Sequence, residues 1–325
     1  MGDSGSGPKK MADMVQDKKL SVVVSVYNEE AALPLFYESC KPVMDAAIED
    51  YELIFVNDGS TDRSREILHE LAAKDKRVRC VSFSRNFGHE AAMIAGIDYA
   101  GGDYIICMDA DLQHPVTCIP QMLEKFEEGY DVISMVRGTN KDAGLIKNIT
   151  SPLFYRLINA ISTAHVDENA SDFFGISRRA ADVLRHDFRE RNRFLRGFVQ
   201  NVGFNKTSLH YDAADRVAGH SKYSIRKLVR FSVNTIMCFS DVPLKLGTGM
   251  GVVTGIASLI TLIVLLHGWI VSGAADAFTA LVFLMLLLST AMFMILGILG
   301  AYMSVLLEET KRRPLYIVES TDNVR

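Results

Sequence analysis

Short apolar runs rich in β-branched residues alternate with longer stretches of mixed polarity through the first half of this chain. Residues 20–26, 51–56, 78–84, 104–108 and 131–136 have strand length, and polar residues follow them. Helices are expected after Asn28, up to about Lys74, over residues 89–100 and from Pro120 to Glu128. Asn28 is placed to cap the first of these, with Glu29 and Glu30 in its first turn. Strands alternating with helices predict an α/β fold, a mostly parallel sheet covered on both faces.

Beyond residue 240 the pattern changes. Residues 246–273 and 277–307 carry no charged side chain, and each run exceeds the ~20 residues a spanning helix needs. Two transmembrane helices joined as a hairpin are therefore expected. Before them, residues 221–239 mix Arg226, Lys227 and Arg230 with Ile225, Leu228, Val229, Ile236 and Phe239 at helical spacing. That suits a helix lying at a membrane interface, or an amphipathic helix packed on a core. Arg226, Lys227, Arg230 and Lys245 precede the first span, and Lys311, Arg312 and Arg313 follow the second. The connector near residues 272–276 has neither Lys nor Arg, so both flanking parts are expected on the cytosolic side of the cell (inner) membrane, in a multi-pass arrangement. Gly247, Gly251 and Gly255 form a stripe suited to close helix contacts, within one chain or between copies of a homo-oligomer.

The domain reading is a polar tail over 1–19, without a signal peptide's apolar core, then a soluble domain over 20–220. Juxtamembrane helices follow over 221–245, the two spans over 246–307 and a cytoplasmic tail over 308–325. A net charge of −4 argues against bulk nucleic-acid binding. Five scattered cysteines without a C-x-x-C pair argue for reduced thiols rather than a disulfide framework or a structural zinc site.

The chemistry gathers where strands end. The run 104–108 leads into Asp109-Ala110-Asp111, then Leu112, Gln113, His114 and Pro115. In an extended segment residues i and i+2 point the same way, so Asp109 and Asp111 could face one spot beyond the strand. Open α/β sheets bind their ligands there. Two hard oxygen donors with other positions left open suit Mg²⁺ or Mn²⁺ shared with a diphosphate. The alternative is an acidic turn closing a strand. Asp58 ends the second strand in the same way, with a simple Asp-Gly turn as its alternative. No glycine occurs between Gly7 and Gly59 and no G-x-x-x-x-G-K-[ST] loop exists, which excludes a dinucleotide fingerprint or a P-loop. A bound diphosphate would have to be held by a metal and basic side chains.

Together, Val24-Ser25-Val26-Tyr27-Asn28-Glu29-Glu30, Val56-Asn57-Asp58-Gly59-Ser60-Thr61-Asp62 and Asp109-Ala110-Asp111-Leu112-Gln113-His114-Pro115 resemble the family-2, GT-A-fold glycosyltransferases. The resemblance is narrower towards polyprenyl-phosphate glycosyltransferases, the dolichol-phosphate mannose synthase and bactoprenol sugar transferase group. It runs from about Leu20 to Arg313 and takes in Ser84-Arg85-Asn86-Phe87-Gly88-His89-Glu90 and Ala218-Gly219-His220-Ser221-Lys222-Tyr223-Ser224. It implies that Val26, Tyr27, Glu29, Asp58, Asp109 and Asp111 bind a nucleotide-sugar donor, expected to be a UDP-sugar. It also implies a metal on Asp109, Asp111 and Gln113, and catalytic roles for Asp111 and Asp172. Arg137, Lys147 and Ser151 would hold the phosphate of a polyprenyl acceptor, with Arg216 and Lys222 in a loop closing over the site. Where many relatives read Asp-Phe-Arg-Leu, this chain reads Asp172-Phe173-Phe174-Gly175. His89 and His114 are read as supporting rather than catalytic.

The implied reaction is inverting transfer of a sugar to undecaprenyl or dolichyl phosphate at the cytosolic face. A lipid phosphomonoester, with a second pKa near ~6, is already a competent nucleophile and needs positive charge more than a strong base. A processive polysaccharide synthase would carry Gln-x-x-Arg-Trp, but the one tryptophan, Trp269, lies inside an apolar run. A non-catalytic scaffold of the same fold would have no need of the Asp-x-Asp pair.

Overall fold

The computed structural model describes residues 17–138, 170–191, 193–212, scattered positions between 253 and 270, and 277–324. These divide between two compact units, one built on a sheet and including residues 314–324, the other containing the long C-terminal helix.

The first unit begins with β1 (Lys19–Val26), α1 (Ala32–Ala47), β2 (Asp50–Asn57), α2 (Ser64–Lys74) and β3 (Val78–Phe83). It continues through α3 (His89–Tyr99), β4 (Tyr104–Asp109), a 3₁₀ turn, α4 (Ile119–Glu127) and β5 (Val132–Arg137). Then come β6 (Ala170–Ser177), α5 (Arg178–His186), α6 (Leu195–Asn201) and β7 (Lys206–Tyr211). The eight described strands form one sheet in the order β7-β5-β6-β4-β1-β2-β3-β8, where β8 is Val318–Asp322. β6 runs antiparallel to β4 and β5, and β8 antiparallel to β3; the other pairings are parallel.

The near-continuous apolar character of β1, β2 and β4 follows from burial on both faces, as parallel sheets require. On α1, Leu33, Phe36, Cys40 and Met44 are buried at helical spacing. Helix α3 buries every residue from Ala91 to Ile97 and lies hard against β1. A Cβ at Gly96 would stand 2.0 Å from Val23 Cγ1, so only glycine permits that approach.

Three local expectations are corrected. Asn28 does not cap α1: the position before that helix is Ala31, with no side-chain cap, and no acidic residue lies in its first turn. Asn28 is left-handed (φ 56°), and its carboxamide oxygen accepts from Thr61 N at 2.8 Å, joining the loops after β1 and β2. The capping geometry gives way to this tertiary bond. The alternating pattern also hides the reversed direction of β6. Finally, the segment expected as a tail after the spans carries β8, which hydrogen-bonds along the outer edge of β3.

In the second unit, α7 (Ala277–Thr310) has 34 residues. Its stretch Leu287–Thr310 is the one helix among the described residues long and apolar enough to cross a membrane. The described positions between 253 and 270 are helical, but they do not make a second such span, so the expected hairpin is not established.

Candidate active site

Parallel pairing lines up the strand ends: Ser25 of β1 lies opposite Asp109 of β4, and Val26 opposite Asn57 of β2. Loops leaving these ends therefore share one edge of the sheet. The antiparallel register of β6, which sets Cys107 opposite Phe174, brings Asp172 level with Asp109 when continued two residues.

Ser25 Oγ donates to Asp109 Oδ1 at 2.9 Å and lies 3.0 Å from His89 Nδ1. His89, the first residue of α3, has Nδ1 3.5 Å from Asp109 Oδ1 and Nε2 3.7 Å from Asp172 Oδ2. The imidazole thus spans two carboxylates from different strands. Burial works against its charged form, but Asp109 and then Asp172 outweigh it and raise its pKa. Arg196 of α6 donates from Nε to Asp172 Oδ1 at 3.1 Å and from Nη2 to Oδ2 at 2.9 Å. Burial would raise the pKa of Asp172; Arg196, followed by His89, reverses this and holds it below the ordinary carboxylate range. Asp172 is consequently an ionised, paired group within a strand. The strand reads Phe174 and Gly175 after Phe173, and a guanidinium reaches Asp172 from α6.

Asp111 lies past the end of β4, in the following turn. Strand alternation therefore does not align it with Asp109, contrary to the sequence argument. The turn itself aims it: Leu112 is left-handed (φ 63°), and Asp111 Oδ1 accepts from Gln113 N at 3.1 Å. A branched residue held at positive φ stores strain that the surroundings must support. His114 supplies part of that support, accepting from Asp109 N through Nδ1 at 3.0 Å. Its ring stacks on Phe173 with centroids 5.0 Å apart, and burial lowers its pKa. A bare Nδ1 leaves the proton of the neutral ring on Nε2.

At the β1–β2–β3 side, Asp58 is buried and its carboxylate is committed to the loop 86–88. It accepts from Phe87 N at 2.6 Å, Gly88 N at 2.9 Å and Asn86 Nδ2 at 2.9 Å. Burial nevertheless pushes its carboxyl above the ordinary range, against the pull of these amides. Gly59 (φ 64°) fits closely beneath that loop, and a Cβ there would stand 2.4 Å from Arg85 C. Asp58-Gly59 is therefore an anchor between two loops, more than an isolated turn. Val26 is buried and uses its carbonyl to accept from Asp58 N at 2.9 Å. Glu29 N donates to Ser64 Oγ at 2.9 Å. Beside this frame the Tyr27 residue is 42% exposed at the sheet edge.

Arg137 ends β5 at the same edge, paired in register with Tyr211. Lys147, Ser151, Arg216 and Lys222 lie outside the described residues. Sequence reasoning gave no role to Ser25 or Arg196 and only a supporting place to His89. For His89 the available signal was a polar residue opening a helix after the short loop that follows β3. Arg196 had none, since 24 residues separate it from its partner.

A divalent cation fits the donor set here. Asp109 and Asp111 are hard oxygen donors at a sheet edge, with Gln113 in the same turn. No group of three or more His, Cys, Asp or Glu side chains among the described residues could hold a metal. One or two carboxylates completed by substrate phosphates is the usual arrangement for Mg²⁺.

Residues 21–185 match the family described as glycosyl transferase family 2. The chain belongs to that family. Its sheet is accordingly the GT-A α/β fold, and the Asp109–Asp111 turn falls within the matched region. An uncharacterized glycosyltransferase, YkcC, of Bacillus subtilis (strain 168) is 41% identical over 302 residues, 93% of each chain. The prophage bactoprenol glucosyl transferase homolog of Escherichia coli (strain K12) is 36% identical, covering 93% of this chain and 98% of its own. The bactoprenol glucosyl transferase of Shigella phage SfV is 35% identical with the same coverage. Among solved structures, glucosyl-3-phosphoglycerate synthase from Mycobacterium tuberculosis, in complex with Mn²⁺, UDP and glucosyl-3-phosphoglycerate, is 19% identical with a TM-score of 0.47. That match covers 73% of this chain and 84% of the synthase.

Proposed function

We propose that this family-2 protein is an inverting glycosyltransferase that moves a sugar from a nucleotide-diphosphate donor to polyprenyl phosphate at the cytosolic membrane face. The observation that carries the reading is the convergence of Asp109, Asp172, His89 and Arg196 at one sheet edge. The strained Asp111 turn and the exposed residue Tyr27 lie at the ends of neighbouring strands there. Relatives named bactoprenol glucosyl transferase, aligned over nearly their whole length, support the acceptor class and make UDP-glucose the first donor to test.

In this reading Tyr27 and the frame anchored by Asp58 receive the nucleoside. Asp109 and Asp111, with Gln113 beside them, would hold Mg²⁺ or Mn²⁺, which when bound relieves charge on the departing diphosphate. Arg137, Lys147 and Ser151 hold the acceptor phosphate, while Arg216 and Lys222 close over it. An acceptor phosphate oxygen forms the bond to the anomeric carbon, and the carbon–oxygen bond to the diphosphate breaks with its electron pair leaving on the nucleotide. Single displacement inverts the anomeric centre. Asp172, ionised and tied to Arg196, orients the sugar; an anionic phosphate nucleophile needs no base from it. The apolar helix α7 and the uncharged run before it anchor the enzyme beside its lipid as a cytosol-facing hairpin.

The test uses the purified full chain with Mg²⁺ or Mn²⁺, UDP-glucose and undecaprenyl phosphate, followed by mass spectrometry of the extracted lipid. A lipid carrying one phosphate and one sugar, with UDP released, is the expected product. A lipid-linked sugar diphosphate, or a free polysaccharide without glycolipid, would overturn the reading.

A further inference from the structure

The segment after α7 does more than extend the sheet. Ser84 N donates to Ile317 O at 3.0 Å, which continues the β3–β8 ladder to the start of the loop 84–88. The neighbouring Tyr316 stacks on Phe83, with ring centroids 5.1 Å apart and planes 13° from parallel. Phe83 in turn meets Phe87 edge-on at 5.7 Å. Phe87 is the residue whose amide donates to Asp58 at 2.6 Å, and its ring lies under the Arg85 guanidinium at 4.0 Å. The hydroxyl of Tyr316 reaches a second element: it donates to Asp98 Oδ2 at 2.8 Å, near the end of α3. Arg189 donates to both oxygens of that carboxylate, from Nη1 to Oδ1 at 2.8 Å and from Nη2 to Oδ2 at 3.1 Å. The opposite end of α3 carries His89, which spans Asp109 and Asp172.

One side chain, 218 residues from Asp98 in sequence, thus touches α3 directly and reaches the loop 84–88 through Phe83. We propose that Tyr316 is a positioning residue for nucleotide binding: its ring sets the loop 84–88 through Phe83 and Phe87, and its hydroxyl sets α3 through Asp98. This inference rests on the reading that the Asp58 frame receives the nucleoside. A strand that merely closed the sheet edge would need neither contact. Its other ties lie elsewhere, with Arg65 donating to Glu319 at 2.9 Å and to Ser320 at 3.1 Å, on the exposed surface of α2.

The experiment measures binding of Mn²⁺–UDP to the full chain in detergent by calorimetry, together with thermal stability and, where transfer is observed, the donor KM and kcat. Tyr316→Leu removes both contacts, Tyr316→Phe only the hydroxyl, and Arg65→Ala loosens β8 without touching Phe83. Tyr316→Leu should weaken UDP binding about 3- to 10-fold, the range of one aromatic pair, and raise donor KM with little change in kcat. Tyr316→Phe should weaken it about 2- to 3-fold, and it decides the question if the leucine variant fails to fold. Arg65→Ala should leave UDP affinity unchanged. Unchanged affinity in the tyrosine variants, or equal weakening in Arg65→Ala, would overturn the proposal. Wild-type protein that binds UDP but glycosylates no polyprenyl phosphate would refute the acceptor reading alone and leave this test intact. Wild-type protein that binds no UDP would refute the nucleotide site on which the inference rests.

Discussion

Arg196 grips both carboxylate oxygens of Asp172, at 3.1 and 2.9 Å, and so decides what that aspartate can do. The pair is partly buried, with about a quarter of one side chain and a third of the other exposed. Breaking it leaves the buried Asp172 carboxylate with the imidazoles of His89 and His114 in place of a guanidinium. Arg196→Ala should lower kcat/KM by about 30-fold, corresponding to about 2 kcal/mol at the weak end for such pairs. Arg196→Lys should recover only part, since one ammonium cannot match two oxygens in a plane. In a double-mutant cycle with Asp172→Asn the losses should fall well short of adding. Full additivity would show that the pair does not act as a unit.

The turn after β4 gives a second expectation. Asp111→Asn should reduce turnover by about 10²-fold or more at saturating donor, and excess chelator should abolish wild-type activity until Mg²⁺ or Mn²⁺ is restored. Steady-state kinetics across a metal titration checks both. Activity that survives chelation would remove the cation from the site.

Glu90 gives a pH signature. It follows His89 on α3, and burial, then the charge of Asp172, push its carboxyl up to about 7, against the opposing pull of His89 and Arg193. The folded state therefore keeps a proton that the unfolded chain has released above about 4.3. This group's contribution falls as pH rises from there through about 7, then levels off. Glu90→Gln removes the slope, so its advantage in melting temperature over wild type should grow across that window and be flat above it. Two parallel curves of melting temperature against pH would count against the assignment.

Glu52 should behave in the opposite sense. It is buried at the other edge of the sheet, accepting from Ser21 Oγ at 2.6 Å and paired with Lys19 at 3.0 Å and Arg79 at 2.7 Å. Burial alone would raise its pKa, but Ser21, the Gly101 amide and Lys19 outweigh it and hold it low. A depressed carboxyl stabilises above its unfolded pKa and loses that contribution as pH falls through the folded value. Glu52→Gln should cost about 3 kcal/mol at neutral pH, because two cations lose their shared partner. Thermal unfolding followed by circular dichroism should show the gap closing in acid.

What was legible in the sequence was local. The β-branched runs of β1, β2 and β4 and the spacing of Leu33, Phe36, Cys40 and Met44 identify strands and helices, because burial on a pleat or a helix face has a fixed period. Asp58, Asp109 and Asp111 were visible because they follow such runs directly, and a strand end in an α/β sheet is where ligands bind. The apolar character of residues 277–307 was equally plain, since length and hydropathy need no partner to be read.

Tertiary structure alone decided the rest. Asn28 was assigned to a helix it does not cap because Thr61, 33 residues away, offers its carboxamide a better partner. β6 and β8 reverse direction, and a strand's direction is set by its neighbours rather than by its own residues. Ser25, His89, Asp172 and Arg196 come from β1, α3, β6 and α6, which meet only once the sheet has ordered itself β6-β4-β1. Tyr316 sat in what reads as a polar tail after the apolar run. A hydrogen bond or a ring stack between distant residues leaves no period or spacing in the chain, so such partners can be read only after the fold has brought them within a few ångströms.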